Sequence, residues 1–378
     1  LQLRAGKYFD NLDALRFISF LFIFWGHALD TENESVSTSE IYHYIKDYVY
    51  ILGKTGFSFA FVLSSYINTF VILEEKERTG QFHPWKFYVR RALRIWPLYF
   101  FMVAFCFLGF PLLKSLLGEP YQETTPVWPF LSFTGNFYML NHGFPYLPAL
   151  SVLWSVSVEE QFYLVWPWLL WLFDKKRMVL VGSLLLTFFL FTSYAFSRTN
   201  VFFHTLFMTG DIAIGALFAF LSFRPESDTF KVLTNLPKWR IVGVYIVFGC
   251  CILFYHNLFE NPFLPAWLNL CFERLSLGLF LGFFIFEQNY CAHSSFKLGQ
   301  LKRLSYLGLI SYSLFCFHEI GLMAANKILE KFNWSNPLLA ELGLKPLLAI
   351  VLIVPLSMLS YHAFEKPILA LKFKFYGR

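Results

Sequence analysis

Apolar stretches long enough to cross a bilayer recur along the whole chain, at residues 14–29, 48–73, 95–117, 156–173, 178–196, 201–222, 241–256, 267–287, 304–329 and 346–364. About 20 apolar residues in a helix span the hydrocarbon core. Within that core the backbone must satisfy its own hydrogen bonds, which a helix does. The pattern therefore predicts an all-α, polytopic integral membrane bundle of about ten transmembrane helices. At about 150 residues per soluble domain the 378-residue length suggests two or three domains. The succession of spans argues instead for a single transmembrane domain over residues 1–378. One long interruption, from Gly118 to Ser157, carries Pro120, Pro126, Pro129, Pro145 and Pro148. It reads as an outer-face loop with a short re-entrant or interfacial piece around VWPFLSFTGNFYML, or as a plain connector.

Sidedness follows from the basic residues, because positively charged loops stay in the cytoplasm. With the N-terminus inside, the inner segments hold Arg4, Lys7, Lys76, Arg78, Lys86, Arg90, Arg91, Arg94, Lys175, Lys176, Arg177, Arg224, Lys231, Lys238, Arg240, Lys297, Lys302, Arg303, Lys366, Lys372, Lys374 and Arg378. The outer segments hold only Lys46, Arg198, Lys331 and Lys345, and the first outer loop, DTENESVSTSE, is acidic. Both termini are therefore expected in the cytoplasm.

Composition narrows the class further. The chain is 57% hydrophobic and 15% charged, against roughly 45–50% and about 25% in a soluble domain. That excludes disordered, collagen-like and coiled-coil chains. A net charge of +6 raises nucleic acid as a partner, but the basic residues sit in short loops rather than on one soluble face, so no nucleic acid is expected. The six cysteines lie almost all inside apolar segments, with no Cys/His cluster at zinc spacing, and no metal is expected. The first apolar run has a polar lead and ends in Gly26-His27 without a small-x-small site. It is expected to remain as the first span.

A charge at membrane depth is costly, which makes each one a functional hypothesis. The first span carries Asp13, Arg16 and His27. Eleven residues separate Arg16 from His27, which puts them within about 20° on one helix face and about 16 Å apart along the axis. Imidazole is suited to take a proton from a hydroxyl near neutral pH. The plainer alternative is an Asp13–Arg16 interfacial ion pair with His27 as a polar cap. Arg90, Arg91 and Arg94 cluster at the cytoplasmic mouth of the third span. Guanidinium forks suit phosphate oxygens, although the same arginines satisfy the positive-inside rule. Glu159 and Glu160 sit at the outer start of another span, followed by Gln161 and Tyr163. A carboxylate there could orient a catalytic imidazole, but neighbouring helical residues point about 100° apart, so only one can share a given pocket. Helix capping by Ser155 and Ser157 with acids in the first turn is the alternative. Asp211, Glu273 with Arg274, His318 with Glu319, and His362 with Glu365 are expected to be paired polar groups between packed helices. His43, His83, His142 and His293 fall in predicted loops and receive no role.

Together these motifs resemble the membrane-bound type-3 acyltransferases, which O-acylate lipopolysaccharide, peptidoglycan, exopolysaccharides and some small molecules. The resemblance spans nearly the whole chain. It rests on LDALRFISFLFIFWGH with its Arg-x10-His spacing, GFSFAFVLSSY at 56–66, FYVRRALRIWPLY at 87–99, LWSVSVEEQFYLVWP at 153–167, SYSLFCFHEI at 311–320 and FEKP at 364–367. It implies transfer of an acyl group, usually acetyl, from cytoplasmic acyl-CoA to a hydroxyl of a cell-surface glycan or lipid-linked saccharide, in the bacterial inner membrane. His27 then matches the catalytic histidine, Arg16 its helix partner, Arg91 and Arg94 (with Arg90 beside them) the donor-binding arginines, and Glu159 the motif's acid. Two departures stand out: Ser58 where Asp is expected and Ser65 where Gly is expected. No fused extracellular esterase-like domain is expected.

The residue pattern fits this reading. Polyanionic CoA should stay by the arginines, its pantetheine arm could run along the Arg16 face, and His27 would deprotonate the acceptor or carry the acyl group itself. Tyr163 and Ser157 are candidate oxyanion donors, and Tyr163 and Trp154 candidate substrate contacts. The competing class is an ion-coupled transporter of a small molecule or lipid-linked sugar, with Asp211, Glu159, His27 and His318 as a relay. A membrane scaffold or sensor is a third.

Overall fold

A computed structural model describes residues 10–31, 33–119, 121–172, 178–196, 201–332 and 336–371. The basic residues Arg4, Lys7, Lys175, Lys176, Arg177, Arg198, Lys372, Lys374 and Arg378 used above for sidedness lie outside the described residues, as does Pro120. All regular structure within them is helical. The principal helices are α1 (Asp10–Ala28), α2 (Glu40–Thr79), α3 (Pro84–Ala104), α4 (Trp154–Leu172), α5 (Met178–Ala195), α6 (Thr209–Ser222), α7 (Lys238–Leu253), α8 (Ala266–Tyr290), α9 (Lys302–Leu309), α10 (Ser311–Leu329) and α11 (Lys345–Ser360).

Every apolar window falls on a helix, yet fewer helices qualify as spans than the windows suggest. Among the described residues, four stretches are long and apolar enough to cross a bilayer: Glu40–Thr79, Pro84–Leu116, Ala266–Tyr290 and Pro337–Ala370. The count reaches six if Asp228–Thr234 with Lys238–Leu253, and Lys302–Leu309 with Ser311–Leu329, each form one bent span. Helices α1 and α4 have 19 residues each, and their polar positions, Asp13, Arg16 and His27 in one and Glu159 to Gln161 in the other, lower their apolar character. At 40 residues, α2 is about 60 Å long, twice the hydrocarbon thickness. The window at 201–222 becomes a helix only from Thr209. Before it stands a single 3₁₀ turn, Val201–Phe203, and His204 Nδ1 accepts the backbone N–H of Leu206 at 3.2 Å, diverting the chain from a helical ladder.

The chain forms two compact units. The first comprises Leu1–Leu21, Lys54–His83 and Val165–Leu309. Its core is aliphatic and aromatic: Leu15, Phe59, Val62, Tyr66, Ile214, Phe218, Leu281 and Phe286 are all buried. The second comprises Phe22–Gly53, Pro84–Leu164 and Ile310–Arg378. Here α10 packs along α11 around Leu314, Phe317, Ala325, Ala349 and Ile353, while Phe24, Tyr99, Met102, Phe130 and Leu150 fill the rest. Large apolar side chains also face outward, among them Leu108, Leu116, Val351 and Leu359. Apolar residues all round a helix are the mark of a lipid-facing element.

Two glycines of this second unit set close helix approaches. A methyl group on Gly26 would stand 2.6 Å from Gly53 Cα, so the end of α1 lies directly against α2. A methyl on Gly321 would stand 2.2 Å from Ile353 Cγ2, which brings α10 onto α11. Small residues at such crossings are how membrane helices gain packing contact. A π-helical turn, Ala340–Leu344, runs straight into α11, and a second, Tyr361–Glu365, follows it.

Candidate active site

His27 lies in the last turn of α1, one residue beyond the Gly26 contact, and is 36% exposed. Its Nδ1 stands 3.0 Å from Oε1 of Glu319 on α10, whose side chain is 9% exposed. A carboxylate oxygen accepts, so Nδ1 carries the proton and Nε2 is the basic nitrogen. His318, fully buried, joins them: its Nε2 is 3.5 Å from the same Glu319 oxygen, and the two imidazole centroids are 5.2 Å apart. Among the described residues this is the one place where three His, Cys, Asp or Glu donor atoms approach within 4.8 Å of one another.

A clasp fixes the end of α1 just beyond His27. Lys345, 4% exposed, donates to the Asp30 carbonyl at 3.0 Å and to Glu341 Oε2 at 2.8 Å. Thr31 Oγ1 donates to the same Glu341 oxygen at 3.2 Å, and Tyr42 OH to Asp30 Oδ1 at 3.4 Å. The π turn before α11 is what presents Glu341 and Lys345 here; such turns are often found at functional sites.

Arg91 on α3 is held between aromatic faces, its guanidinium 5.5 Å from the Phe87 ring and 5.4 Å from the Tyr163 ring. Cation–π contacts of this kind stabilise a guanidinium while leaving its N–H edge available. Tyr163 OH donates to Glu159 Oε2 at 3.0 Å, and Trp96 Nε1 to Glu160 Oε2 at 2.9 Å. Arg90 and Arg94 are half-buried on the same helix. Glu159 thus belongs to the Arg91–Tyr163 grouping, whereas the carboxylate against His27 is Glu319. Trp154 is buried at 4% exposure. The Ser157 hydroxyl donates to the Leu153 carbonyl at 3.3 Å, a bond that competes with an oxyanion role. Arg16 pairs with Asp13, within the first unit and on the same continuous helix as His27.

One acid gathers four hydrogen bonds in the segment 121–147. Glu123 accepts from Tyr121 OH at 2.6 Å, from the Thr125 hydroxyl at 2.8 Å and N–H at 3.1 Å, and from Leu147 N–H at 3.3 Å. Partial burial opposes its ionisation, but these hydrogen bonds prevail and hold the carboxyl below the usual carboxylate range.

A family model described as an acyltransferase domain matches residues 9–362. The chain belongs to this acyltransferase family. It is 26% identical over 302 residues to the peptidoglycan O-acetyltransferase OatA of Listeria monocytogenes, covering 74% of this chain and 46% of that protein. It is 24% identical over 350 residues to YrhL of Bacillus subtilis, whose name assigns the same activity provisionally, covering 86% and 52%. With SAR0937 of Staphylococcus aureus, provisionally named an O-acetyltransferase, identity is 23% over 415 residues, covering 95% and 64%. The chain thus spans about half the length of the first two relatives. No solved structure matches it.

This acyltransferase-family chain buries a second set of charges, in its first unit. Arg274 on α8 pairs with Asp211 on α6, their side chains 3% and 0% exposed. Ser58 donates to Asp211 at 3.1 Å, and Phe202 and Phe207 stack on the guanidinium at 5.0 and 5.4 Å. Lys54 pairs with Glu273 at 2.7 Å and meets Tyr255 OH at 3.2 Å. Sequence reasoning expected such interhelical pairing for Asp211 and Arg274, and expected it for Glu319 as well. The signal for Glu319 was there, an acid next to a histidine in the middle of an apolar span, but its partner is 292 positions away in the chain.

Proposed function

We propose that the chain is an integral membrane O-acyltransferase that moves an acetyl group from cytoplasmic acetyl-CoA to a hydroxyl of a cell-envelope glycan, with peptidoglycan the leading acceptor. The observation that carries this is the 3.0 Å contact of His27 Nδ1 with buried Glu319, which aims Nε2 as a base. Family membership and the names of the relatives support the reaction class and the acceptor. In this reading the chain has about ten spans, both termini in the cytoplasm, and sits in the bacterial inner membrane.

His27 Nε2 takes the proton of the acceptor hydroxyl as its oxygen attacks the thioester carbonyl. The tetrahedral intermediate collapses, the C–S bond breaks, and the departing thiolate takes the proton back from His27. Glu319 holds the ring in the required tautomer and stabilises the imidazolium, the part a triad acid plays. Arg90, Arg91 and Arg94 bind the phosphates of the donor, with Phe87, Tyr163 and Glu159 seating Arg91. Arg16 serves the donor's path along α1.

The test uses envelope vesicles supplied with acetyl-labelled acetyl-CoA, comparing the wild type with His27→Ala at matched expression. Label is expected in the peptidoglycan fraction with the wild type only. Retained transfer by His27→Ala would overturn the base assignment. Label confined to lipid or to small molecules would overturn the acceptor class.

A further inference from the structure

Glu319 has one oxygen facing two histidines, and the proposed reaction uses only one of them. His318 Nδ1 lies 2.5 Å from the Phe315 carbonyl oxygen. A carbonyl can only accept, so this nitrogen carries a hydrogen. Nε2 is therefore the position at which His318 gains or loses a proton, and it lies 3.5 Å from Glu319 Oε1. A neutral His318 would set its lone pair against a carboxylate there. A protonated one would make an ion pair.

We propose that His318 is a proton-holding, positioning residue for His27. It retains, against Glu319, the proton that a lone His27–Glu319 pair would keep on His27. The inference rests on the acyl-transfer reading given above. A cluster of two imidazoles and one carboxylate carrying a single extra proton is electrically neutral, which is the favoured state of a site shielded from water. Without His318, neutrality puts that proton on His27 or on the acid, and an imidazolium His27 is not a base. With His318, that proton sits on His318 Nε2, so His27 keeps its one proton on Nδ1 toward Glu319 and its Nε2 stays basic, with no change in net charge. The three groups then titrate as one system.

The surroundings fit a cluster whose proton count is set internally. His318 is fully buried while His27 is 36% exposed, so His27 meets the substrate and His318 does not. Of the other charged groups near His27, Asp30 accepts from Tyr42, and Glu341 pairs with Lys345, at the start of α11. Farther along, Glu365 accepts from Ser313 and Ser360 at 2.6 and 2.9 Å, and Arg94 lies on α3. The turn at Pro148–Ser151 brings no charge.

The experiment measures kcat/KM against pH for the full chain in detergent or nanodiscs, with acetyl-CoA and a soluble muropeptide acceptor. His318→Asn keeps an amide donor for the Phe315 carbonyl and removes Nε2. His318→Gln places an amide that cannot titrate near the Nε2 position. In both variants the acid limb of the profile should move to higher pH by about one unit, the coupling expected of interacting sites, while KM for acetyl-CoA stays within about twofold. An acid limb that stays in place while kcat falls, in whichever variant folds, overturns the inference and leaves His318 as packing. The two readings fail separately: active His27→Ala sinks the acyl-transfer base, whereas inactive His27→Ala with an unmoved limb in the His318 variants sinks only this one.

Discussion

The two units treat buried charge in opposite ways. In the first, Asp211 and Arg274 pair a carboxylate with a guanidinium, both almost fully buried, and Ser58, Phe202 and Phe207 surround the pair. An arginine stays charged at any pH a cell meets, so it is no proton carrier. In the second, His27 and His318 share Glu319, and imidazole changes charge near neutrality. Depth of burial therefore does not by itself mark a working site. A group that can change state and is partly open to substrate does so better.

The comparison breaks if the first unit proves to be the catalytic one. Asp211→Ala should leave Arg274 buried without its partner and destabilise the fold by about 3–5 kcal/mol, read as loss of detergent-soluble, monodisperse protein. Replacing both partners with apolar residues of similar volume should recover most of that protein and keep acetyl transfer. A folded double variant without transfer would move the chemistry into the first unit. Glu319→Gln should show the reverse pattern: a loss of kcat of about 100- to 10,000-fold with a nearly unchanged melting temperature. A melting temperature that collapses with activity would make Glu319 a structural acid like Asp211.

Smaller effects sharpen the contrast. Arg91→Lys keeps the charge but loses the planar group held between Phe87 and Tyr163. It should raise KM for acetyl-CoA about tenfold and leave the acceptor KM alone; equal changes in both would return Arg91 to a topological role. The smallest effect belongs to Glu123, a carboxylate held by hydrogen bonds rather than by an ion pair. Its folded value is below its unfolded one, so the stability it adds is present above the unfolded value and is lost as pH falls through the folded value. Glu123→Gln should flatten the acid side of a plot of melting temperature against pH, and an unaltered slope there would show that the segment 121–147 is held by other contacts.

Much of this was legible in the chain. The helices follow the apolar windows because membrane helices need length and apolarity more than any partner. The unusual charges Asp211, Arg274, His318 and Glu319 were found for the same reason, since each is costly wherever it points, whereas buried Glu287 and Lys345 were not singled out. What could not be read is which charge meets which. Glu159 stands in the motif next to Tyr163, and the structure keeps it there, by Arg91. Glu319 reaches His27 in a bundle where Gly321 lets α10 close on α11 and Gly26 lets α1 close on α2, and such approaches are properties of packed surfaces rather than of any local pattern. The onset of α6 at Thr209 was hidden likewise, because His204 captures a backbone N–H that hydropathy does not register.

The π turn at Ala340–Leu344 also bears on chain length. A π turn holds more residues than an α turn, so it behaves like a single-residue insertion that the helix has absorbed. Removing Gly343 would restore α geometry there and leave α11 in its existing phase against α10, re-phasing only the residues upstream. This is a splice point built into the helix, where one residue can be gained or lost without re-threading the bundle.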